Sequence, residues 1–328
     1  MGKNAIFRII VAMRVDVLVL DDVFDLGLSA VLDALQTANE LAAASGLSVR
    51  FEVRMVGVRR TVRTSQGLTV RVQPAGHRPA DCIVVPAIGF KMPGPLEAAL
   101  GRADVQEAAG ALRQWSRSGA TIAAACIGTF VLAESGLLDG QRVTTTWWLA
   151  PLFRRRYPSV RLDESNMIVR SGRFVTAGAA LGHMDLALWL VRASSPRLAS
   201  LTAKYLIVDS RPSQSAYALS DHLAHADPIV QRFEAWARAR LAQGFSLDAA
   251  AKAVGASKRT LARRMQRVLG RSPLSYVQGL RVERAMHLLK TGSASVDEVA
   301  ARVGYADGAT LRALLRRRVN LGVKEIRR

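Results

Sequence analysis

Two periods of apolar residues divide the chain. Between Met13 and residue 195, short apolar runs alternate with stretches that are apolar at every third or fourth position; beyond Ile229 only the helical period persists. The first region predicts strands at Val15–Leu20, Phe51–Val58, Leu68–Val72, Cys82–Pro86, Thr121–Ala125 and Phe174–Thr176. Between them it predicts helices at Leu26–Ala44, Asp104–Ser118, Thr129–Glu134 and Met184–Val191. Strand and helix in alternation imply a mostly parallel sheet covered on both faces, with any site at the C-terminal ends of its strands.

The second region contains one pattern written twice, Ser246–Met265 and Ser295–Leu315. Each copy opens on a serine that can cap a helix, continues with apolar residues at helical spacing (Leu247, Ala250, Ala251, Val254; Val296, Val299, Ala300, Val303), and stops at a glycine, Gly255 or Gly304. A second cap, Ser257 or Asp307, begins a second helix with Leu261 and Met265, or Leu311 and Leu315, turned inward. The offset between copies is 49 residues before the turn (Val254 to Val303) and 50 after it (Leu261 to Leu311), so the second turn is one residue longer. Helical geometry then turns Arg259, Arg263, Gln266 and Arg267 outward, with Lys258 at the helix start; the second copy presents Ala309, Arg312, Ala313, Arg316 and Arg317. In a helix-turn-helix the second helix enters the major groove, where arginine pairs with guanine and neighbouring cations hold phosphates. The plain alternative is a solvated basic face on a helical bundle.

Charge favours the first of these. The chain carries 46 Lys+Arg against 26 Asp+Glu, and residues 229–328 alone hold 21 against 7, a net +14 of the total +20. A positive field concentrated on the repeated motif points to nucleic acid rather than to a membrane surface, which needs an apolar face left exposed. Two cysteines, Cys82 and Cys126, make no disulfide framework and fit a reducing cytoplasm. The apolar segment Ile9–Met13 is broken by Arg14 and Asp16, so neither a membrane span nor an export signal is expected, and the first twelve residues read as dispensable.

Cys126 follows the run Thr121–Ala125 and precedes Ile127-Gly128-Thr129, a sharp strand-to-helix junction built from small residues. A thiol there meets a helix N-terminus that lowers its pKa and backbone amides that hold an oxyanion, but a nucleophile also needs a base and a group to orient that base. The histidines supply little toward one. His222 and His225 lie three apart before Asp227-Pro228 with no third ligand, His77 sits in a Pro-flanked loop, His183 near a helix start and His287 on a long helix. Trp147 and Trp148 line a pocket or pack on the sheet.

Residues 245–328 resemble an AraC/XylS-type DNA-binding domain, two helix-turn-helix units joined by a long helix. The resemblance rests on Val254-Gly255, Gly270-Arg271-Ser272-Pro273, Tyr276, Arg281–Ala285, Leu288-Leu289 and Val303-Gly304-Tyr305. The end departs from the family, with Leu311, Leu315, Val323 and Ile326 where aromatic residues or proline are usual. Residues 13–193 resemble the ThiJ/PfpI, or class I glutamine-amidotransferase-like, superfamily in the GlxA-like form fused to AraC-type regulators. That likeness is strongest across Ala125–Trp148, Tyr157-Pro158, Thr176–Gly178 and Gly182–Asp185. Enzymatic relatives carry His after the cysteine where this chain has Ile127, and regulator relatives carry His where it has Thr146; Asp21, Asp22 and Asp25 are the candidates for the superfamily's acid.

The expected fold is an α/β flavodoxin-like three-layer sandwich (residues 13–195), a linker (196–228), and an all-α double helix-turn-helix domain (229–328) with units at 246–267 and 295–317. The expected function is sequence-specific DNA binding in transcription regulation, with a non-catalytic amidotransferase-like domain that senses a small molecule or a redox signal. Expected DNA contacts are Lys258, Arg259, Arg263, Gln266, Arg267, Arg312, Arg316 and Arg317, and the expected ligand pocket comprises Asp25, Gly89, Cys126, Ile127, Thr146 and Trp147. No metal or cofactor is expected. Partners are double-stranded DNA, a small-molecule effector and a second copy of the chain, with RNA polymerase open as a further one. The alternative is a PfpI-type cysteine hydrolase or amidase acting through Cys126.

Overall fold

The computed structural model describes residues 11–74, 80–209, 214, 225, 227–319 and 321–327. The first ten residues, His77, His222 and most of the linker at 210–226 lie outside the described residues. The chain divides into two compact units, Met1–Thr146 with Ser159–Pro212, and Trp147–Pro158 with Ser213–Arg328. No described helix is long and apolar enough to cross a membrane.

The first unit is built on a six-stranded sheet in the order β2-β1-β5-β6-β10-β9. Its strands are β1 (Val11–Leu18), β2 (Val49–Val56), β5 (Cys82–Val85), β6 (Thr121–Ala125), β9 (Ile168–Ser171) and β10 (Phe174–Ala177). Five run parallel, and β9 folds back antiparallel on β10 at the edge. Helices α1 (Asp25–Ala44), α6 (Gly182–Ser194) and α7 (Pro196–Tyr205) form one layer, and α2 (Pro93–Leu100), α3 (Ala103–Ser116) and α4 (Gly128–Ala133) pack together as a second. Alternation divides the strands between them: Cys82, Val84, Ala123 and Ala125 join the core under α1, α6 and α7, so Ile83, Val85, Ile122 and Ala124, equally buried, face the other way. Short pairs β3 (Thr61–Arg63) with β4 (Thr69–Arg71), and β7 (Arg142–Val143) with β8 (Arg161–Leu162), lie off the main sheet.

Two polar devices fix the N-terminal half of this sheet. Asp16 and Arg54 stand directly opposite each other on β1 and β2, joined by bonds of 2.8 and 2.9 Å. Asn39 of α1 donates to Phe51 O at 2.8 Å and accepts from Phe51 N at 2.7 Å, so its amide extends the ladder onto a helix.

Two expectations about boundaries change. Pro196–Tyr205, assigned to the linker, is a helix of the first unit: Ser195 caps it, accepting from Leu198 N at 3.2 Å, and Leu198 and Ala199 are buried in the core shared with α1 and α6. Trp147–Pro158, including α5 (Ala150–Arg156), belongs with the second unit although its neighbours in sequence belong to the first.

The second unit continues with α8 (Pro228–Ala239), α9 (Leu247–Ala253), α10 (Lys258–Leu269), α11 (Pro273–Thr291), α12 (Val296–Arg302), α13 (Gly308–Val319) and α14 (Val323–Arg327). It has two cores, and α11 serves both. Tyr276, Val277 and Leu280 pack with α8, α9 and α10, whereas Val282, Ala285, Met286 and Leu289 pack with α12, α13 and α14. At the change of face sits Arg281, 6% exposed. It donates to Leu241 O at 3.0 Å and to Gln243 O, and its guanidinium lies over the Tyr305 ring at 5.0 Å, tying the loop after α8 to the turn of the second copy. Gly304, at φ +86°, makes room for it: a Cβ there would stand 2.8 Å from Arg281 Nη2. Arg281→Ala is expected to destabilise the second unit by about 2–4 kcal/mol, since two carbonyls lose a charged donor and a cavity opens. Amide hydrogen exchange should accelerate in α11 and α12 and stay unchanged in β1 and β5; unchanged protection in α11 would contradict the bridging role.

Candidate functional site

The two outward faces of the repeat form as the spacing predicts. All four caps close: Ser246 accepts from Ala249 N, Ser257 from Thr260 N and Ser295 from Glu298 N, at 3.3, 3.1 and 3.2 Å. Asp307 accepts from Thr310 N at 2.7 Å. Gly255 and Gly304 adopt positive φ at the turns. Leu261, Met265, Leu311 and Leu315 are fully buried, which leaves Lys258, Arg259, Arg263, Gln266 and Arg267 exposed on α10 and Arg312, Arg316 and Arg317 exposed on α13. The aliphatic departures near the end do not open the second core, because Leu311, Leu315 and Ile326 are buried in it.

The faces are nevertheless unequal. The internal offset sets Arg259 and Arg263 of α10 against Ala309 and Ala313 of α13. Lys258 pairs with Asp248 at 2.9 Å across the first turn. Arg318, inward of the exposed arginines, donates to Ser275 Oγ at 3.0 Å and Gln278 Oε1 at 2.8 Å on α11, which makes it structural.

Five of the six residues expected to line a ligand pocket lie in the first unit, in two groups. Cys126 sits on a sharp elbow between β6 and α4 with φ +55°, a backbone state that an ordinary residue holds only under constraint. The constraint is visible. Cys126 N donates to Ala177 O at 2.8 Å, Thr145 Oγ1 donates to Cys126 O at 2.7 Å, and Thr129 Oγ1 donates to Thr144 O at 3.1 Å. Gly128 lets the turn close, since a methyl there would collide with Val85 O and Pro86 O. The thiol is 4% exposed, and burial pushes its pKa up to about 12 against the opposing pull of the Ile127 amide, the Thr146 hydroxyl and the Lys91 ammonium. The expectation of a dipole-lowered thiol therefore fails: desolvation outweighs the helix end. Thr146 is itself fully buried, and its hydroxyl, although beside the sulfur, reaches full hydrogen-bond geometry with no described group.

The second part gathers around Asp25. Its Oδ2 accepts from Ser65 Oγ at 2.8 Å and Gln66 N at 3.0 Å, and Gly89 lies against Ser65 so closely that a Cβ would collide. Burial raises the Asp25 pKa, but the bonds from Thr64, Ser65 and Gln66 overcome it and hold the carboxyl below its ordinary value. Asp25 Oδ1 is buried with no described partner. Trp147 groups with the second unit and makes an edge-on pair with Trp148 at 5.6 Å. A cavity of about 620 Å³ in the first unit is lined by other residues, among them Met167, Asp185, Trp189, Arg192, Lys204 and Asp209.

His183 explains how the two parts are held. Fully buried at the start of α6, it takes Ala87 N–H on Nε2 at 3.0 Å, and its Nδ1, 2.6 Å from Ala180 O, is then the protonated nitrogen. Gly27 of α1 is glycine because a Cβ would stand 2.6 Å from that ring. One imidazole thus joins α1, α6 and the loop after β5, with both nitrogens occupied. It is neither a free base nor a helix cap. His225 is likewise engaged, with Nε2 3.2 Å from Glu234 Oε2.

Comparison with known proteins now decides the family. The DJ-1/PfpI family model matches residues 13–193, more than half of the chain. This chain belongs to the DJ-1/PfpI family. Residues 250–328 match a helix-turn-helix domain model. The chain is 28% identical over 296 residues to the HTH-type transcriptional regulator GbdR of Pseudomonas aeruginosa, covering 88% of this chain and 77% of that one. It is 29% identical over 202 residues to the HTH-type transcriptional regulator ArgR of the same species, covering 60% and 61%. A crystal structure of an AraC family transcriptional regulator from Pseudomonas putida is 22% identical with a TM-score of 0.49, covering 59% of this chain and 99% of that one. The DJ-1/PfpI family includes enzymes, whereas the relatives named here are regulators.

Sequence reasoning missed Lys91, His183's bridging role and the residues around Asp227. Only Asp227-Pro228, a cap followed by proline, carried a signal for the last of these. The His183 pKa is pushed down to about 4 by burial, against the pull of the Ala180 carbonyl. A group kept neutral in the fold stabilises fully above its ordinary pKa of about 6.5, and that contribution is lost as pH falls toward 4. The expected loss is about 3 kcal/mol across that window. Imidazole resonances should show His183 neutral at pH 5; a titration midpoint near 6.5 contradicts the assignment.

Proposed function

We propose that this chain is a transcription regulator that binds specific double-stranded DNA through α10 and α13, with a DJ-1/PfpI domain that senses a ligand without catalysing a reaction. The observation that carries the proposal is the duplicated helix-turn-helix. Every cap is closed, both cores are filled, and each cation assigned to DNA from the sequence is exposed. The regulators GbdR and ArgR add their support.

DNA recognition follows from the unequal faces. On α10, Arg259 and Arg263 are spaced one turn apart, suited to guanine edges, while Arg267 and Lys258 address phosphates. On α13, the alanines at the corresponding positions leave Arg312, Arg316 and Arg317 to hold the backbone. The second copy grips more than it reads.

The non-catalytic half of the proposal rests on Cys126. Its thiol is buried and raised, Ile127 follows it, and His183 spends both nitrogens on backbone groups. A buried, protonated thiol also suits a small-molecule signal better than an oxidant, which needs an exposed thiolate. The ligand site we assign is the strand ends of the first unit around Asp25, Gly89, Cys126, Ile127 and Thr146. Asp25 Oδ1 and Thr146 Oγ1 are two buried polar atoms there without described partners, and a polar ligand would satisfy them. A second copy of the chain and RNA polymerase are the protein partners, and the cytoplasm is where such a regulator works. The strained elbow that Cys126 retains favours one other reading, a PfpI-type hydrolase; turnover abolished by Cys126→Ser would establish it.

Arg263→Ala is expected to weaken binding to the preferred duplex by about 1–3 kcal/mol and relax the preference at one base pair, whereas Arg267→Ala chiefly lowers the salt dependence. Equal losses for both variants on preferred and random duplexes, measured by fluorescence anisotropy at several salt concentrations, would refute that division.

A further inference from the structure

Helix α8 lies upstream of the matched helix-turn-helix region, which begins at residue 250, yet it holds both helices of the first copy. Arg232 donates through Nε and Nη2 to Val254 O at 3.4 and 3.2 Å, which fixes the end of α9 where the turn begins. Asp227, at the head of α8, reaches α10. Its Oδ1 caps α8 by accepting from Ile229 N and Val230 N at 3.1 and 3.2 Å. Its Oδ2 accepts from Arg264 Nη1 at 3.1 Å and stands 3.9 Å from Arg267 Nη2.

Exposure rises outward across this group: Asp227's side chain is 10% exposed, Arg264's 36% and Arg267's 66%. The carboxylate is fixed from behind as well. Asp227 N donates to His225 Nδ1 at 3.4 Å, His225 Nε2 lies 3.2 Å from Glu234 Oε2, and Gln231 Nε2 donates to His225 O at 3.4 Å. Only the carboxylate of this pair is buried, and it meets Arg264 while its other oxygen caps α8, so the contact ties the head of α8 to α10. Arg264 is the neighbour of Arg263 and lies three residues before Arg267, so anchoring its guanidinium holds the exposed side of α10 where the burial of Leu261 and Met265 places it.

We propose that Asp227 is a positioning residue for DNA reading. Its bond to Arg264 steadies α10 against α8 at the rotation that the burial of Leu261 and Met265 sets, the one at which Arg259 and Arg263 meet base edges, and it competes with DNA phosphate for Arg267. The proposal rests on the DNA reading above and adds to it a residue outside the matched region.

Asp227→Asn in the full chain tests it, because asparagine caps a helix as well as aspartate does while removing the charge. The probes are a random-sequence duplex and the tightest duplex that in vitro selection yields for the unaltered chain. Asp227→Asn is expected to unfold within about 3 °C of the unaltered chain, to bind the random duplex about 2–5-fold more tightly, and to lose about tenfold in the ratio of selected to random affinity. Arg264→Met should lower that ratio similarly, and the double variant no further. An unchanged ratio in Asp227→Asn, or losses that add in the double variant, would overturn the proposal. Should Asp227→Asn fail to fold, Arg264→Met reads the same ratio, and an unaltered value there overturns it equally. Equal affinity of the unaltered chain for both probes refutes DNA reading itself, a distinct result.

Discussion

A helix-turn-helix is two short helices with one apolar side, and it cannot bury that side alone. The seven-residue helices α9 and α12 are far below the length at which an isolated helix is stable in water. Everything the second unit does depends on supplying each copy with a third surface, and α11 supplies it to both by changing face at Arg281. The outward direction of α10 and α13 follows from that burial. Once Leu261 and Met265, or Leu311 and Leu315, point into a core, the arginines between them have only solvent or a ligand to face. The caps then matter because each copy is too short to lose a turn.

In the first unit two effects compete at one residue. A helix end and a backbone amide favour the Cys126 thiolate, and the same elbow that aims them at the sulfur also encloses it. Burial wins. The superfamily's geometry is kept, with a positive φ held by Ala177, Thr145 and the absent side chain of Gly128, while the electrostatics that would make the thiol reactive are missing. His183 shows the complementary economy: a histidine beside the site that is buried, neutral and fully bonded holds three elements together and has nothing left for chemistry.

Much of this was legible in the sequence, and what was not has identifiable physical causes. β6 at Thr121–Ala125 matched residue for residue because a run buried on both faces has abrupt ends, and the duplicated caps placed the start of each helix of the repeat, whereas α10 and α13 run two residues past the expected ends at 267 and 317. Helix α2 was hidden by Pro93-Gly94-Pro95, which reads as a turn although proline is well suited to a helix's first turn. β9 escaped because its pairing depends on a two-residue turn at Gly172-Arg173. Helix α7 was concealed behind Ser195-Pro196, a pair that signals a break and here caps a helix. The exposure of the side chains assigned to DNA followed from periodicity. The raised thiol, the double bonding of His183 and the reach of Asp227 to Arg264 did not, because burial and long-range hydrogen bonds are properties of the folded chain and leave no local pattern.

Selection of bound sequences from a random duplex library by the full chain tests most directly whether the repeat reads DNA through two unequal faces. An enriched motif with two blocks is predicted, one of them guanine-containing and sharply defined, the other weakly constrained. A library that emerges unenriched, or two blocks of equal definition, would contradict it.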